Sequence, residues 1–413
     1  MFSMTDLRRR RGCGVRPCRE RGFSLVELMI ASTIGLLILS AMVSVFVSTV
    51  QSRNELDKSN QQIENGRFAM EMLREDIQLA GFYGSYLPPQ PPTYVAPPDP
   101  VPATPWTIPT APDGVCTTIL DNMGFVTSVG PPATYNVPVG IYGVPDTGAT
   151  PACLPNRKDG TDILVIRRTS TTELNIDADA NGAMDANVTK EDGSTGVSVA
   201  SLGSGHYLQV SNCSDTPAER AYVLAKDPTG FILHGVKPAG SPASCVDAEA
   251  GLAPVRQYFV HIYYIATCND CTITPVYPCT LGDCIPTLKM VELTPGTGVC
   301  TATATDSCGS MTLRPIAEGI ENLQFEYGID SNLDGTPELY STAPADYDWQ
   351  YVTAVKIFLL ARNSEISADY TDTKTYSLAS DGSTLPAFWG LDRNYKRHVY
   401  VATVRAINIA NRR

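Results

Sequence analysis

The apolar positions of this chain fall into three regimes, and each predicts a different kind of element. Residues 28–50 are 23 consecutive positions with neither a charge nor a proline. At ~1.5 Å per residue such a run crosses a bilayer core of ~30 Å as one helix. Below it the pattern turns amphipathic. Leu56, Ile63, Met70 and Ile77 recur every seven residues, Leu73 and Ala80 join their face, and charged residues such as Lys58, Glu64, Arg67 and Glu75 fill the others. The two runs predict a single helix over residues 23–80, about 87 Å long, whose lower stripe packs on its own head or on other helices. The glycines of Gly81-Phe82-Tyr83-Gly84 predict where it stops.

The third regime begins after a proline-rich stretch. Residues 87–113 hold eleven prolines, which excludes helix and predicts an extended connector. Beyond it, short β-branched and aromatic runs alternate with turn clusters. They predict strands at residues 163–168, 206–210, 221–226, 231–235, 258–265, 288–293, 352–362 and 399–407. Short strands joined by turns make a mainly antiparallel sheet, so the fold class is α+β: one long helix and a β-rich head. The segments divide at 1–22, 23–50, 51–82, 83–113 and 114–413.

Charge and cysteine content sharpen this picture. Seven arginines against Asp6 and Glu20 give residues 1–22 a charge of +5, so the remaining chain carries −17 of a net −12. A basic leader before an apolar span places the leader in the cytoplasm and the head across the membrane. The acidity of the head argues against nucleic acid as a partner. Ten cysteines follow the span: Cys116, Cys153, Cys213, Cys245, Cys268, Cys271, Cys279, Cys284, Cys300 and Cys308. An even number in an exported domain predicts disulfides. The spacing of Cys268, Cys271, Cys279 and Cys284 leaves a four-thiolate zinc site as the alternative.

Between Arg21 and Arg53 the only charged side chain is Glu27. The stretch Gly22-Phe23-Ser24-Leu25-Val26-Glu27 resembles a type IV prepilin processing site, matching its glycine, its phenylalanine and the acid at the fifth mature position. A secretory signal differs, because its apolar region is removed with it. The resemblance implies that prepilin peptidase cuts between Gly22 and Phe23 and methylates the Phe23 amine. It also implies that Glu27 pairs with a neighbouring subunit's amino terminus during assembly. Residues 67–82, 318–330 and 396–405 resemble the PilW group of minor pilins. That resemblance implies a pilin-like fold and a low-abundance structural pilin that helps initiate type IV pilus assembly within a tip complex. It further implies a single-pass inner-membrane state before incorporation, and contacts with the major pilin and other minor pilins at a pilus tip. A minor pseudopilin of a type II secretion system shares the junction and the helix.

Two acidic loops suggest calcium. Asp330, Asn332, Asp334, Thr336 and Glu338 fit alternate ligand positions of an EF-hand-type loop, with Gly335 at its turn. The twelfth position is Ser341 rather than a bidentate glutamate, and a hairpin turn at Asp334-Gly335 is the alternative. Asp177, Asp179, Asn181 and Asp185 repeat the pattern. These loops and the cysteines would suit a calcium-dependent adhesin or binding module, facing a surface receptor from the pilus tip. No phosphate-binding glycine loop, Gly-x-Ser-x-Gly elbow or His-Glu-x-x-His segment occurs, and no catalytic residue is assigned. His206, His234, His261 and His398 read as packing or surface positions in or beside strands.

Overall fold

The computed structural model describes residues 22–87, 106–108, 115–119, 122–128, 134–146, 150–179, 183–190, 195–198, 205–211, 220–225, 230–235, 251–274, 281–295, 309–367, 370–383 and 390–411. Residues 1–57 and 58–413 form two compact units. Helix α1, Leu25–Leu79, contributes to both. In the first unit its side chains are exposed, and it is long and apolar enough to cross a membrane. Its hydroxyls fit that role. Ser32, Thr33, Ser40 and Ser48 each donate to a carbonyl three residues back and Thr49 to one four back, at 2.7–3.0 Å. Each is thus satisfied within the helix, as an apolar surrounding requires. The helix ends at Gly81, whose φ of 69° is a conformation few residues other than glycine adopt.

In the second unit the lower helix is stitched to the β-rich head. Its buried positions are Gln62, Gly66, Ala69, Leu73, Asp76 and Ile77. This differs from the seven-residue stripe: Leu56 is 62 % exposed, Ile63 38 % exposed and Met70 only half-buried. The inward face is chosen by size and hydrogen bonding. At Gly66 the Tyr400 ring lies where a Cβ would sit. Gln62 Nε2 donates to the carbonyls of Ala361 at 2.8 Å and Lys396 at 3.1 Å, which offsets its burial. Lys58 Nζ reaches the Ile366 carbonyl at 2.9 Å, and Asn65 Nδ2 the Glu318 carbonyl at 3.1 Å.

Among the described residues the head contains three sheets. The smallest joins β1 (Trp106–Thr107), β2 (Val126–Ser128) and β3 (Thr134–Pro138), with β1 and β3 parallel. The largest is antiparallel and centres on the long strand β11 (Val255–Ala266). On one side β11 pairs with β5 (Ile163–Thr169), which carries β4 (Ile141–Val144). On the other, β11 pairs with β12 (Thr287–Pro295), itself edged by β13 (Gly309–Glu318). The start of β11 also receives β6 (Leu174–Asn175) and β9 (Tyr207–Val210). β7 (Asn187–Lys190) and β8 (Thr195–Ser198) follow β6, and β10 (Tyr222–Ala225) edges β9. The third sheet has the order β15 (Leu339–Ser341), β14 (Ile320–Ile329), β16 (Val352–Arg362), β17 (Arg397–Arg405). One apolar core joins Ala69, Leu73 and Ile77 of α1 to Ile166, Ile262, Leu323 and Ile357 from these sheets.

Two strand expectations are corrected. Residues 231–235 form no strand beyond the isolated His234–Leu252 bridge. Buried Gln209 supplements that bridge: its Oε1 accepts from Leu233 N at 2.9 Å and its Nε2 donates to the Leu233 and Ala253 carbonyls, while Gly235 N and Ala253 N donate to the Gly251 and Leu233 carbonyls, each at 2.8 Å. The closing strand ends at Arg405, and residues 407–410 turn into the short helix α2, Ile407–Ala410. Most of the proline-rich segment lies outside the described residues.

Candidate functional site

The amino-terminal junction is an exposed, non-helical lead-in to α1. Gly22, Phe23 and Ser24 precede the first helical residue, Leu25, and Phe23 is 86 % exposed. Among the described residues, no heavy atom beyond its chain neighbours lies within 4 Å of a Cβ built on Gly22. Glu27 sits in the first turn, where its Oε2 accepts from Ser24 N at 3.2 Å. A carboxylate there satisfies an orphan N–H and complements the helix dipole. Residues 1–21, with the arginines and with Cys13 and Cys18, lie outside the described residues.

Lower down, Asp76 projects from the same helix into a buried polar cluster that the sequence reading did not anticipate. Arg168 Nε on β5 donates to its Oδ1 at 2.7 Å, and Oδ2 meets His261 Nδ1 at 2.6 Å and Tyr263 Oη at 3.0 Å, both on β11. His261 Nε2 in turn lies 3.7 Å from Glu292 on β12, which also pairs with Arg314 at 2.8 Å. Burial alone would push the Asp76 carboxyl up, but His261 and Arg168 overcome it and hold it below its usual range. Burial would likewise push the His261 imidazole down, yet the Asp76 carboxylate draws it above its usual value. The cluster ties α1 to two strands by charge-assisted hydrogen bonds. His261 is therefore a buried anchor rather than a packing residue. The one signal for it in sequence is Phe259, His261 and Tyr263 alternating on one face of β11, but Asp76 is 185 residues away.

A second buried set fixes the carboxy-terminal strand. Arg397 Nε and Nη2 clamp Glu321 on β14 at 2.5 and 3.1 Å, while Nη1 donates to Asp372 at 3.1 Å. Burial would raise the Glu321 carboxyl, but the Arg397 hydrogen bonds and nearby Lys158 and Arg362 lower it.

Both acidic loops draw their carboxylates together. Asp330, Asp334 and Glu338 offer ligand atoms within 4.8 Å of one another, as do Asp177, Asp179 and Asp185. In the first loop Asp330 accepts from Asp334 N at 3.0 Å and Gly335 N at 2.7 Å, and Glu338 accepts from Ser331 N at 2.8 Å. Asn332 Oδ1 and Asp334 Oδ1 accept from Asp334 N and Thr336 N, each at 2.8 Å. The loop joins β14 to β15, so the hairpin and the acidic convergence coexist. In the second loop Asp185 accepts from Ala178 N at 2.6 Å and Asp177 from Leu252 N at 2.8 Å. Asn181 lies outside the described residues. Carboxylates gathered so closely repel one another, and a cation or a proton relieves that repulsion. Either cluster could hold a metal ion.

The cysteines correct the zinc alternative. Cys116 is bonded to Cys153 and Cys268 to Cys271, with Cα separations of 5.7 and 5.3 Å, and Cys284 is also in a disulfide. With those sulfurs in covalent bonds, no four-thiolate set remains at 268–284. Cys213, Cys245, Cys279, Cys300 and Cys308 lie outside the described residues.

Comparison with known proteins agrees with this layout. Residues 17–43 match the prokaryotic N-terminal methylation motif, a range that brackets Gly22, Phe23 and Glu27. Residues 262–408 match the family described as Type IV Pilus-assembly protein W, a range that takes in the Asp330 loop and the Glu321–Arg397 clamp. No curated protein and no solved structure matches the chain. The chain therefore carries a PilW type IV pilus-assembly domain together with a prokaryotic N-terminal methylation motif.

Proposed function

We propose that this chain is a minor pilin, a structural and non-enzymatic subunit that helps initiate type IV pilus assembly within a complex at the pilus tip. The observation that carries the reading is the union, in one chain, of a methylation motif at the exposed Gly22–Phe23 junction with a PilW head. That union supports a pilus over a type II secretion pseudopilus. Residues 1–22 are the leader, removed by prepilin peptidase, which also methylates Phe23. Residues 23–50 hold the chain in the inner membrane with its head in the periplasm, and residues 51–82 continue the helix. A connector over 83–113 leads to the head at 114–413. The major pilin and other minor pilins are the partners on assembly.

Glu27 is the docking residue. An ionised carboxylate in lipid costs several kcal/mol unless it is paired. On its own chain Glu27 has the Ser24 N–H. The Phe23 amine of a neighbouring subunit supplies the opposite charge that a backbone N–H lacks. Glu27→Ala is expected to be cleaved normally, accumulate in the membrane and drop sharply in purified pili, read by immunoblot of the two fractions. Wild-type recovery in pili would count against this role.

A second reading rests on the converging acids of the two loops: the head binds calcium and, through it, a surface receptor. A deletion strain separates the two. Loss of pili supports assembly, whereas intact pili with lost attachment support the adhesin.

A further inference from the structure

We infer that β17 is a docking edge, to which an extended, β-branched segment of another protein adds as a further strand. β17 closes the third sheet, pairing with β16 and with no other strand among the described residues. Backbone bonds at its two ends fix which groups face outward. Asn363 N donates to the Lys396 carbonyl and Ala406 N to the Thr353 carbonyl, so the even-numbered residues between them bond to β16. The register between is unbroken, so Val399, Val401 and Thr403 turn their N–H and C=O groups away from the sheet. None of these groups is hydrogen-bonded among the described residues. Side chains do not screen the edge either: Val401 is 56 % exposed, and Thr403 and Arg405 are also exposed.

Edge strands usually carry a guard against pairing, such as shortness, a proline, a bulge or an inward-pointing charge. The other edges of this head follow that rule. β1, β2, β4, β8, β10 and β15 are two to four residues long, and β13 carries Pro315 beside a register shift. β17 is nine residues long, with no proline, no bulge and no charge from Val399 to Val404. Its one inward charge, Arg397, is neutralised by Glu321 and Asp372. A row of free backbone groups calls for the backbone of another strand, and the exposed Val401, beside Phe358 of β16, calls for apolar β-branched side chains on it. A second copy of β17 fits less well. Gln62 reaches the Lys396 carbonyl, Gly66 lies at Tyr400, and Asn408 Nδ2 donates to the Gln78 carbonyl at 3.2 Å, so the lower helix and β17 run in the same direction. Antiparallel pairing of two copies would point their lower helices in opposite directions. Subunits that join one filament from one membrane, as proposed above, point the same way. The open edge itself stands whether or not the chain acts at a pilus tip.

The test uses the full chain in detergent and a fluorescently labelled peptide, Glu-Thr-Val-Thr-Val-Thr-Val-Glu, read by anisotropy and by amide hydrogen exchange. Binding is expected. The Val401 and Thr403 amides, which exchange freely in the chain alone, should slow at least about tenfold with the peptide, while the Ala402 and Val404 amides stay slow in both states. The same peptide with each valine replaced by proline lacks strand donors and should not bind. Val401→Pro removes an outward N–H but no ladder bond, so it should melt near wild type and bind the peptide at least about tenfold more weakly. Thr403→Pro makes the same change at the next outward position, and the exchange readout depends on neither variant. The inference is overturned if the peptide does not bind, if the outward amides are already slow in the dilute chain alone, or if both proline variants bind as wild type does. Outward amides that slow only as the chain is concentrated would assign the edge to a second copy and overturn the separate partner.

Discussion

At the scale of single residues, the fit of helix to sheet turns on Gly140. Its carbonyl accepts from Arg167 N at 2.9 Å, and the Arg167 carbonyl accepts from Gly81 N at 2.9 Å, so three stretches of backbone meet at one point. A Cβ on Gly140 would fall inside contact distance of the Gly81 backbone, which has no rotamer to change. Gly→Ala by itself favours the folded state by roughly 0.4–1 kcal/mol through the unfolded chain, whereas overpacking costs roughly 1–3 kcal/mol. Overlap with backbone should win, so Gly140→Ala is expected to lower stability by about 1–3 kcal/mol in urea titrations. An unchanged or higher midpoint would show that the helix end can shift freely. The Asp76–His261 pair makes a second residue-scale prediction, in pH. His261 is raised above 6.5, so its contribution is fully present below about 6.5 and fades as pH climbs through the folded value. Asp76 is lowered below 3.8, so its contribution is present above about 3.8 and fades as pH falls through the folded value. The pair therefore stabilises most between about 3.8 and 6.5. Comparing wild type with His261→Gln cancels the other titrating groups, apart from Asp76 and Glu292, which His261 contacts. The stability gap should be wider at roughly pH 5.5 than at roughly pH 8.5; an equal gap at both would mean that folding leaves the His261 imidazole at its ordinary value, and a narrower gap at the lower pH that it is neutral in the folded state.

At the scale of elements, the hairpin β14–loop–β15 shows how local and long-range information divide. The loop's alternating oxygens and its glycine are consecutive residues, so their convergence is set by short-range backbone preference. Leu333 and Gly335 adopt positive φ values of 63° and 88° to bring it about. If calcium occupies this loop, it binds the folded state and not the unfolded chain, so the apparent stability rises by mass action. Calcium at ten to a hundred times its dissociation constant should add about 1–3 kcal/mol over a chelator-treated sample. Asp330→Asn should abolish the increment, and identical melting curves with calcium and chelator would remove the cation from the account. Strands β13 and β14 were harder to foresee. Arg314, Pro315 and Glu318 make β13 look like a loop, but it pairs only with β12 among the described residues, and an edge strand tolerates a missing donor. The ladder shifts register at Leu288/Lys289, opposite Pro315 and Ala317. In the same way Phe231 and Leu233 read as strand because both are apolar and buried, yet the Leu233 N–H is met by the Gln209 side chain. Apolar pattern reports burial; which group satisfies the backbone is decided elsewhere in the chain.

At the scale of the whole molecule, sequence is most informative where one short stretch carries the methylation motif. Gly22, Phe23 and Glu27 are read in a line, and the unbroken apolar run of residues 28–50 leaves little choice of element. The head is less legible because its anchors join residues far apart: Asp76 with His261, Glu321 with Arg397. The inward face of α1 was also set by the head, which needs Gly66 beneath Tyr400 and so leaves other apolar positions outside. Those positions carry the last prediction. Leu56 at 62 %, Ile63 at 38 % and Phe68 at 52 % exposure are more apolar surface than a lone helix face keeps in water without a reason. The head leaves Phe68 half-exposed, and under the assembly role proposed above a neighbouring subunit's helix is the partner expected to cover it. A photo-crosslinking phenylalanine analogue at position 68 should give an adduct with another pilin in intact pili. The same chain solubilised alone in detergent should give none. Because Phe68 is exposed, the replacement leaves the core of Ala69, Leu73 and Ile77 undisturbed, so poor folding does not confound the result. Intrachain products alone from intact pili would rule out this face as the assembly contact.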